Sequence, residues 1–247
     1  MIASATQTLS EALRSYLRSR WLKPNTAELY EIAVRLYEHW NDGPTALDAI
    51  TPDTVMTWMR WLAKTRGAQT VNSKRRALLT IIRSSREFSK VPRMPEIRRA
   101  PTAWRPHEMA AILAECDRTE LRHRKHRAIW GPMHFRALAL QVYDTSLRIG
   151  CLLQAKREAC DLKRKTLLIP GELMKGRADA LHRLSDQTCE AIAALPPHAL
   201  LNPWPMRKEQ LWVWWGRILE RAGLPATRRD KFHRIRRTSY SHVRHKL

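Results

Sequence analysis

The chain has 247 residues, 44% of them apolar, and carries 45 Lys and Arg against 23 Asp and Glu, a formal net charge of +22. That length and apolar share fit one large or two ordinary globular domains, and a charge of this size makes a polyanion, nucleic acid first, the expected partner. No apolar run approaches a membrane span and residues 1–20 lack a secretory leader pattern, so a membrane protein is excluded and a cytoplasmic location expected.

The basic residues are spread along the chain, 15 of them before residue 96 and 30 after it. Both halves are therefore expected to touch the partner. Four cysteines, Cys116, Cys151, Cys160 and Cys189, form no CxxC pair, so they read as reduced thiols rather than a zinc module or a disulfide framework.

The first ninety residues read as helices. "LSEALRSYL" is amphipathic, and "KPNTAELYEIAVRLYEHW" places Asn25 or Thr26 at an N-cap and Leu29, Ile32, Ala33, Leu36 and Trp40 on one stripe. In "ITPDTVMTWMRWL" Thr51 caps, Pro52 takes the first helical position, and Val55, Trp58, Met59 and Leu62 face inward. A fourth helix is expected from about Thr70 to Phe88. Its apolar side collects Val71, Leu78, Ile81, Ile82 and Phe88, while Arg75, Arg76, Arg83 and Arg86 share a separate sector and read as a DNA-contacting stripe.

"SKVPRMPEIRRAPTAWR" has three prolines, four arginines and little periodicity. It marks a linker at about 91–105 between a helical domain, 1–90, and a second domain, 106–247. In the second domain a helix opens at Pro106, an apolar helix ends near Thr145, and a short one follows Arg148. "KTLLIP" and "ALHRL" read as the strands of a small hairpin presenting Lys175 at its turn. A later helix contains Trp212, Trp214 and Trp215, which read as core and support, and Gly223 stops it.

The last patterned stretch, "KFHRIRRTSYSHVRHKL", sets His233 and Arg236 three residues apart on one helical face. Arg offers a fixed fork for two phosphate oxygens, and His exchanges a proton near neutral pH, so the pair suits a phosphate site. Arg237 adds a neighbouring cation.

Three ordered segments, "LALQVYDTSLRIGCLLQAKREACDL", "LMKGRADALHRLS" and "FHRIRRTSYSHV", resemble the first arginine box, the hairpin lysine and the second His/Arg box of the tyrosine recombinase (phage integrase) family. The N-terminal half resembles that family's helical core-binding domain. The resemblance implies a mainly α (α+β) fold, with a helical N-terminal domain and a mostly helical catalytic domain bearing a small antiparallel hairpin. It implies double-stranded DNA as partner, a homo-oligomer on that DNA, and site-specific recombination or integration. Arg148 and Arg236 would clamp the scissile phosphate, Lys175 would protonate the leaving 5′ oxygen, and His233 would assist proton transfer. Two guanidinium groups can do the charge work of a metal, so neither metal nor cofactor is expected.

The family's Glu two or three positions after the first Arg is replaced here by Gly150 and Cys151. Its Gly-His element and attacking tyrosine have no counterpart after "FHRIRRTSYSHV". Tyr240 is the one tyrosine after His233, on the same helix and about 10 Å along its axis. The chain as given is therefore expected to bind DNA without cutting it, either as a recombinase-type protein or as an inactive DNA-binding accessory. A basic RNA-binding protein is the remaining alternative.

Overall fold

A computed structural model describes residues 7–82, 88, 90–97, 100, 102–119 and 131–244, and the side chains among these except those of 243 and 244. They fall into two compact units, Met1–Arg99 and Ala100–Leu247.

The first unit contains α1 (Leu9–Arg18), α2 (Pro24–Trp40), α3 (Pro52–Ala63) and α4 (Ala68–Ile81). Thr8 and Glu11 close a capping box at α1, and Thr51 and Thr54 close one at α3 with Pro52 in the first turn. For α2 the start differs from the sequence expectation: Lys23 is the N-cap and Pro24 opens the helix. Proline, with its fixed φ and no N–H to lose, takes the first helical position ahead of the side-chain caps that follow it.

Val55, Trp58, Met59 and Leu62 are buried as expected, and Trp58 packs edge-on against Tyr37 at 5.4 Å. The inner face of α2 is centred on Ala33, Val34 and Tyr37, while Leu36 and Trp40 are half-buried. Helix α4 ends at Ile81 rather than near Phe88. Phe88 and Val91 fold back into the same core, and Asn72 fastens this return. It accepts from Met94 N at 2.9 Å and donates to Met94 O at 3.0 Å and to the Glu96 carboxylate at 2.6 Å. Phe88, Val91 and Met94 are thus packed within the first unit.

The second unit begins on its own core. Trp104 is buried, its backbone N–H donates to Thr238 Oγ1 at 2.7 Å, and the Arg234 guanidinium lies 3.5 Å over its ring. Helices α5 (Pro106–Arg118), α6 (Pro132–Thr145), α7 (Ile149–Leu152), α8 (Asp186–Ala193), α9 (Lys208–Arg221) and α10 (Phe232–Arg244) accompany a small antiparallel sheet. Its strands, β1 (Cys160–Asp161), β2 (Thr166–Ile169) and β3 (Ala180–Arg183), lie in the order β1-β2-β3. The expected hairpin is β2 with β3, Leu167 opposite His182 and Ile169 opposite Ala180. Strand β1 adds an edge only two residues long, too short to leave a periodic trace in the sequence.

Helix α6 is the axis of this unit. Phe135, Leu138, Ala139 and Val142 are buried on it, and Trp215 of α9 stacks on Phe232 of α10 at 4.3 Å. Of the three α9 tryptophans, Trp215 is fully buried, while Trp212 and Trp214 pack half-buried against the core. Among the described residues no helix is long and apolar enough to cross a membrane.

Candidate phosphate-binding site

At the end of α6, Ser146 adopts a left-handed conformation, φ 51°, and its N–H caps the helix by donating to Val142 O. A non-glycine residue accepts this strained geometry only where its surroundings hold it. Here α10 does so: Arg236 Nε donates to Ser146 O at 2.5 Å, and the Ser146 hydroxyl donates to Ser239 Oγ at 3.0 Å. Two residues on, Arg148 is the N-cap of α7 and is exposed.

Helix α7 is short and cannot hold itself, so tertiary bonds fix it. Asn202 donates to Leu152 O at 3.1 Å and pairs with Gln141 at 2.8 and 3.2 Å, all of them buried. The Cys151 thiol, also buried, donates to Leu173 O at 3.1 Å. Cys151 stands where the resemblance led us to expect Glu, and it ties α7 to the segment after β2.

The N-terminus of α10 is set by Asp230. Its carboxylate accepts from Thr227 N at 3.1 Å and Thr227 Oγ1 at 2.5 Å, and pairs with Arg234 at 2.9 Å. Burial works to raise this carboxyl, but the bonds from Thr227 and Arg234 outweigh it and hold it below the ordinary Asp range. Arg234 also donates to Ala103 O at 3.2 Å. It is a structural cation, and sequence reading passed it over because two of its partners, Ala103 and Trp104, lie about 130 residues away.

With both ends fixed, Arg148, His233 and Arg236 line one pocket of about 300 Å³, together with Ile149, Gly150, Cys151, Gln154, Leu173, Lys208, Trp212 and Phe232. Among the described residues no carboxylate lines it. Residues 85 or more positions apart in sequence thus converge on a cationic cleft with an apolar floor. Burial, then the charge of Arg148, pushes the Arg236 guanidinium below its usual value, partly offset by Cys151. His233 is solvent-accessible, yet partial desolvation and then the charges of Arg236, Arg237, Arg148 and Arg228 lower its pKa from the ordinary His value of 6.5.

The sign follows from linkage. A depressed His is neutral in the folded protein at neutral pH, and on acidification the unfolded chain takes up its proton first. Its contribution to stability is therefore lost as pH falls through and below 6.5. In an NMR titration the His233 imidazole is expected to show a midpoint below 6.5, moving upward when an anion occupies the cleft. A midpoint at or above 6.5 in the free protein would show that the arginines do not act on it.

No protein-family model matches the chain, and no curated protein does. Solved structures do. A Tn1549 transposon integrase in complex with transposon right end DNA superposes with a TM-score of 0.73 at 15% identity, over 97% of this chain and 87% of that one. A lambda integrase dimer bound to a COC′ core site gives 0.73 at 15%, over 98% and 91%. A lambda integrase tetramer bound to a Holliday junction gives 0.75 at 16%, over 99% and 72%.

This chain has the fold of the Tn1549 and lambda integrases.

Within the integrase fold the remaining expected residues have separate placements. Lys175 is exposed between β2 and β3 and does not line the pocket. It follows Met174 in a turn closed by Arg177 N donating to Met174 O at 3.3 Å. The base of that turn is tight: a Cβ on Gly171 would lie 2.7 Å from Arg177 O, and Gly171 N donates to Asp179 Oδ1 at 2.7 Å. The turn is thus braced at its base while Lys175 stays outside.

Arg237 is exposed on α10 beside His233, and Arg76 is exposed on α4. Arg75 is turned inward. Its Nη2 donates to Val91 O and it is partly desolvated, so it fastens the return segment of the first unit. Arg83 and Arg86 lie outside the described residues. Among the described residues no group of three or more His, Cys, Asp and Glu side chains is arranged to hold a metal ion.

Proposed function

We propose that the protein binds duplex DNA in the manner of an integrase-type recombinase and holds one backbone phosphate in the α7–α10 cleft. The convergence of Arg148, His233 and Arg236 on one pocket, lined by no carboxylate among the described residues, supports this most directly. The structural neighbours add to it, since the Tn1549 and lambda integrase structures were determined with DNA. In this reading Arg148 and Arg236 neutralise charge on the non-bridging oxygens, and neutral His233 accepts or returns a proton. Lys175 reaches the leaving 5′ oxygen when its turn meets the DNA. Arg237 contacts a neighbouring phosphate, Arg76 of the first unit contacts the DNA backbone, and several copies assemble on one DNA, as the lambda integrase dimer and tetramer do on theirs.

Strand cleavage is a separate matter. Tyr240 is 57% exposed on α10, two turns past His233 and on the helix that carries Arg236. A nucleophile fixed to the helix that clamps the phosphate cannot move to it independently. The 247-residue chain is therefore proposed to bind and hold DNA without forming a phosphotyrosyl link.

The test combines anisotropy titration of a labelled duplex at several salt concentrations with a denaturing gel of a nicked duplex. Log affinity is expected to fall linearly with log salt, and no covalent adduct is expected. Preference for RNA, or a flat salt dependence, would sink the duplex reading. An adduct abolished by Tyr240→Phe would overturn the claim about cleavage alone.

A further inference from the structure

Lys208 belongs to no motif of the sequence, yet it lines the same cleft as Arg148, His233 and Arg236. It is the first residue of α9, follows an N-cap with no side-chain hydrogen bond, and is exposed. A cation in a first turn is opposed by the helix dipole, so its position gains nothing from its own helix. No ion pair to Lys208 is found among the described residues, whereas Lys156 and Lys165 are paired with Glu158 and Asp186.

Gly150 completes the geometry. A Cβ placed on it would lie 3.1 Å from Lys208 Nζ, closer than side chains ordinarily tolerate. The missing side chain at the second residue of α7 is the space into which the ammonium reaches. Lys208 thus approaches the backbone of the helix whose N-cap is Arg148.

We propose that Lys208 is a phosphate ligand of this cleft, a third fixed cation that reaches the bound phosphate group across Gly150. The inference rests on the reading of the cleft as a phosphate site. It assigns to α9 a contact that is separate from the exposed turn lysine, Lys175. An ammonium suits the role because its three donors rotate to whichever oxygens the two guanidinium forks leave unused.

The experiment uses inorganic phosphate as the probe and the His233 imidazole resonance of the full chain as the readout, assigned with His233→Gln. Wild type is expected to show a saturable shift. Lys208→Ala is expected to weaken phosphate binding about tenfold, as loss of a charge-assisted hydrogen bond does. Lys208→Arg should retain most of the affinity, and Lys163→Ala, an exposed lysine outside the pocket, should match wild type. Gly150→Ala keeps every charge but crowds Nζ, and is expected to fall between wild type and Lys208→Ala. If wild type shows no phosphate response, the phosphate reading of the cleft fails. If wild type responds and Lys208→Ala binds equally well, or if Lys163→Ala loses as much, the inference about Lys208 is overturned while the cleft reading stands.

Discussion

Arg236→Ala is expected to lower affinity for duplex DNA by about 10- to 100-fold, the effect of losing a hydrogen bond to a charged group. It should at the same time destabilise the second unit by about 1–3 kcal/mol, because Ser146 O would lose the donor that meets it at 2.5 Å. The two effects have one cause. Arg236 holds the left-handed Ser146 turn from which Arg148 emerges two residues later, so removing it loosens the other arginine as well. Arg236→Lys separates the contributions: it keeps the positive charge but has no Nε–H beside a second pair of donors, so it cannot serve Ser146 and a phosphate fork together. Anisotropy titration with duplex and urea melts of both variants would measure this. If Arg236→Lys bound and melted like wild type, the bridging role would be wrong.

Trp215→Ala is expected to cost about 3–5 kcal/mol, a large share of the stability of an ordinary domain. Trp215 is fully buried and stacks at 4.3 Å on Phe232, the residue before His233 and itself part of the cleft wall. The cavity would therefore open directly behind the site helix. A fall in the urea midpoint is expected without a change in the slope against urea, together with weaker DNA binding at temperatures where the protein remains folded. A cost below about 1 kcal/mol would show that the α9–α10 contact is not the support it is taken to be.

Local patterns made much of this molecule legible. The threonine–proline start of α3, its four inward residues and the hairpin between β2 and β3 all depend on neighbours a few positions apart, which a sequence displays directly. The second His/Arg box reads as a helix for the same reason. What the sequence concealed depends on distant partners. Arg75 looks like a member of a basic stripe until Val91 O, 16 residues on, turns it inward. Arg234 looks like one more surface cation, although Asp230, Trp104 and Ala103 hold it in the core. Ser146 carries no sign of its left-handed backbone, since the bonds that sustain it come from α10, and Lys208 joins the cleft only through the packing of α9 beside α7.

The neutral scaffold around Arg148 and Arg236 has a consequence for the medium in which the protein works. Serine hydroxyls, a thiol and backbone carbonyls set the positions of these guanidinium groups, and among the described residues no lining carboxylate balances them. The cleft is therefore expected to draw its counter-charge from small anions in solution. On the proposed reading, taking up a DNA phosphate is an exchange reaction in which such an anion departs. Two buffers of equal ionic strength, one of chloride and one of phosphate, would present the protein with different competitors and hence with different apparent affinities for the same duplex.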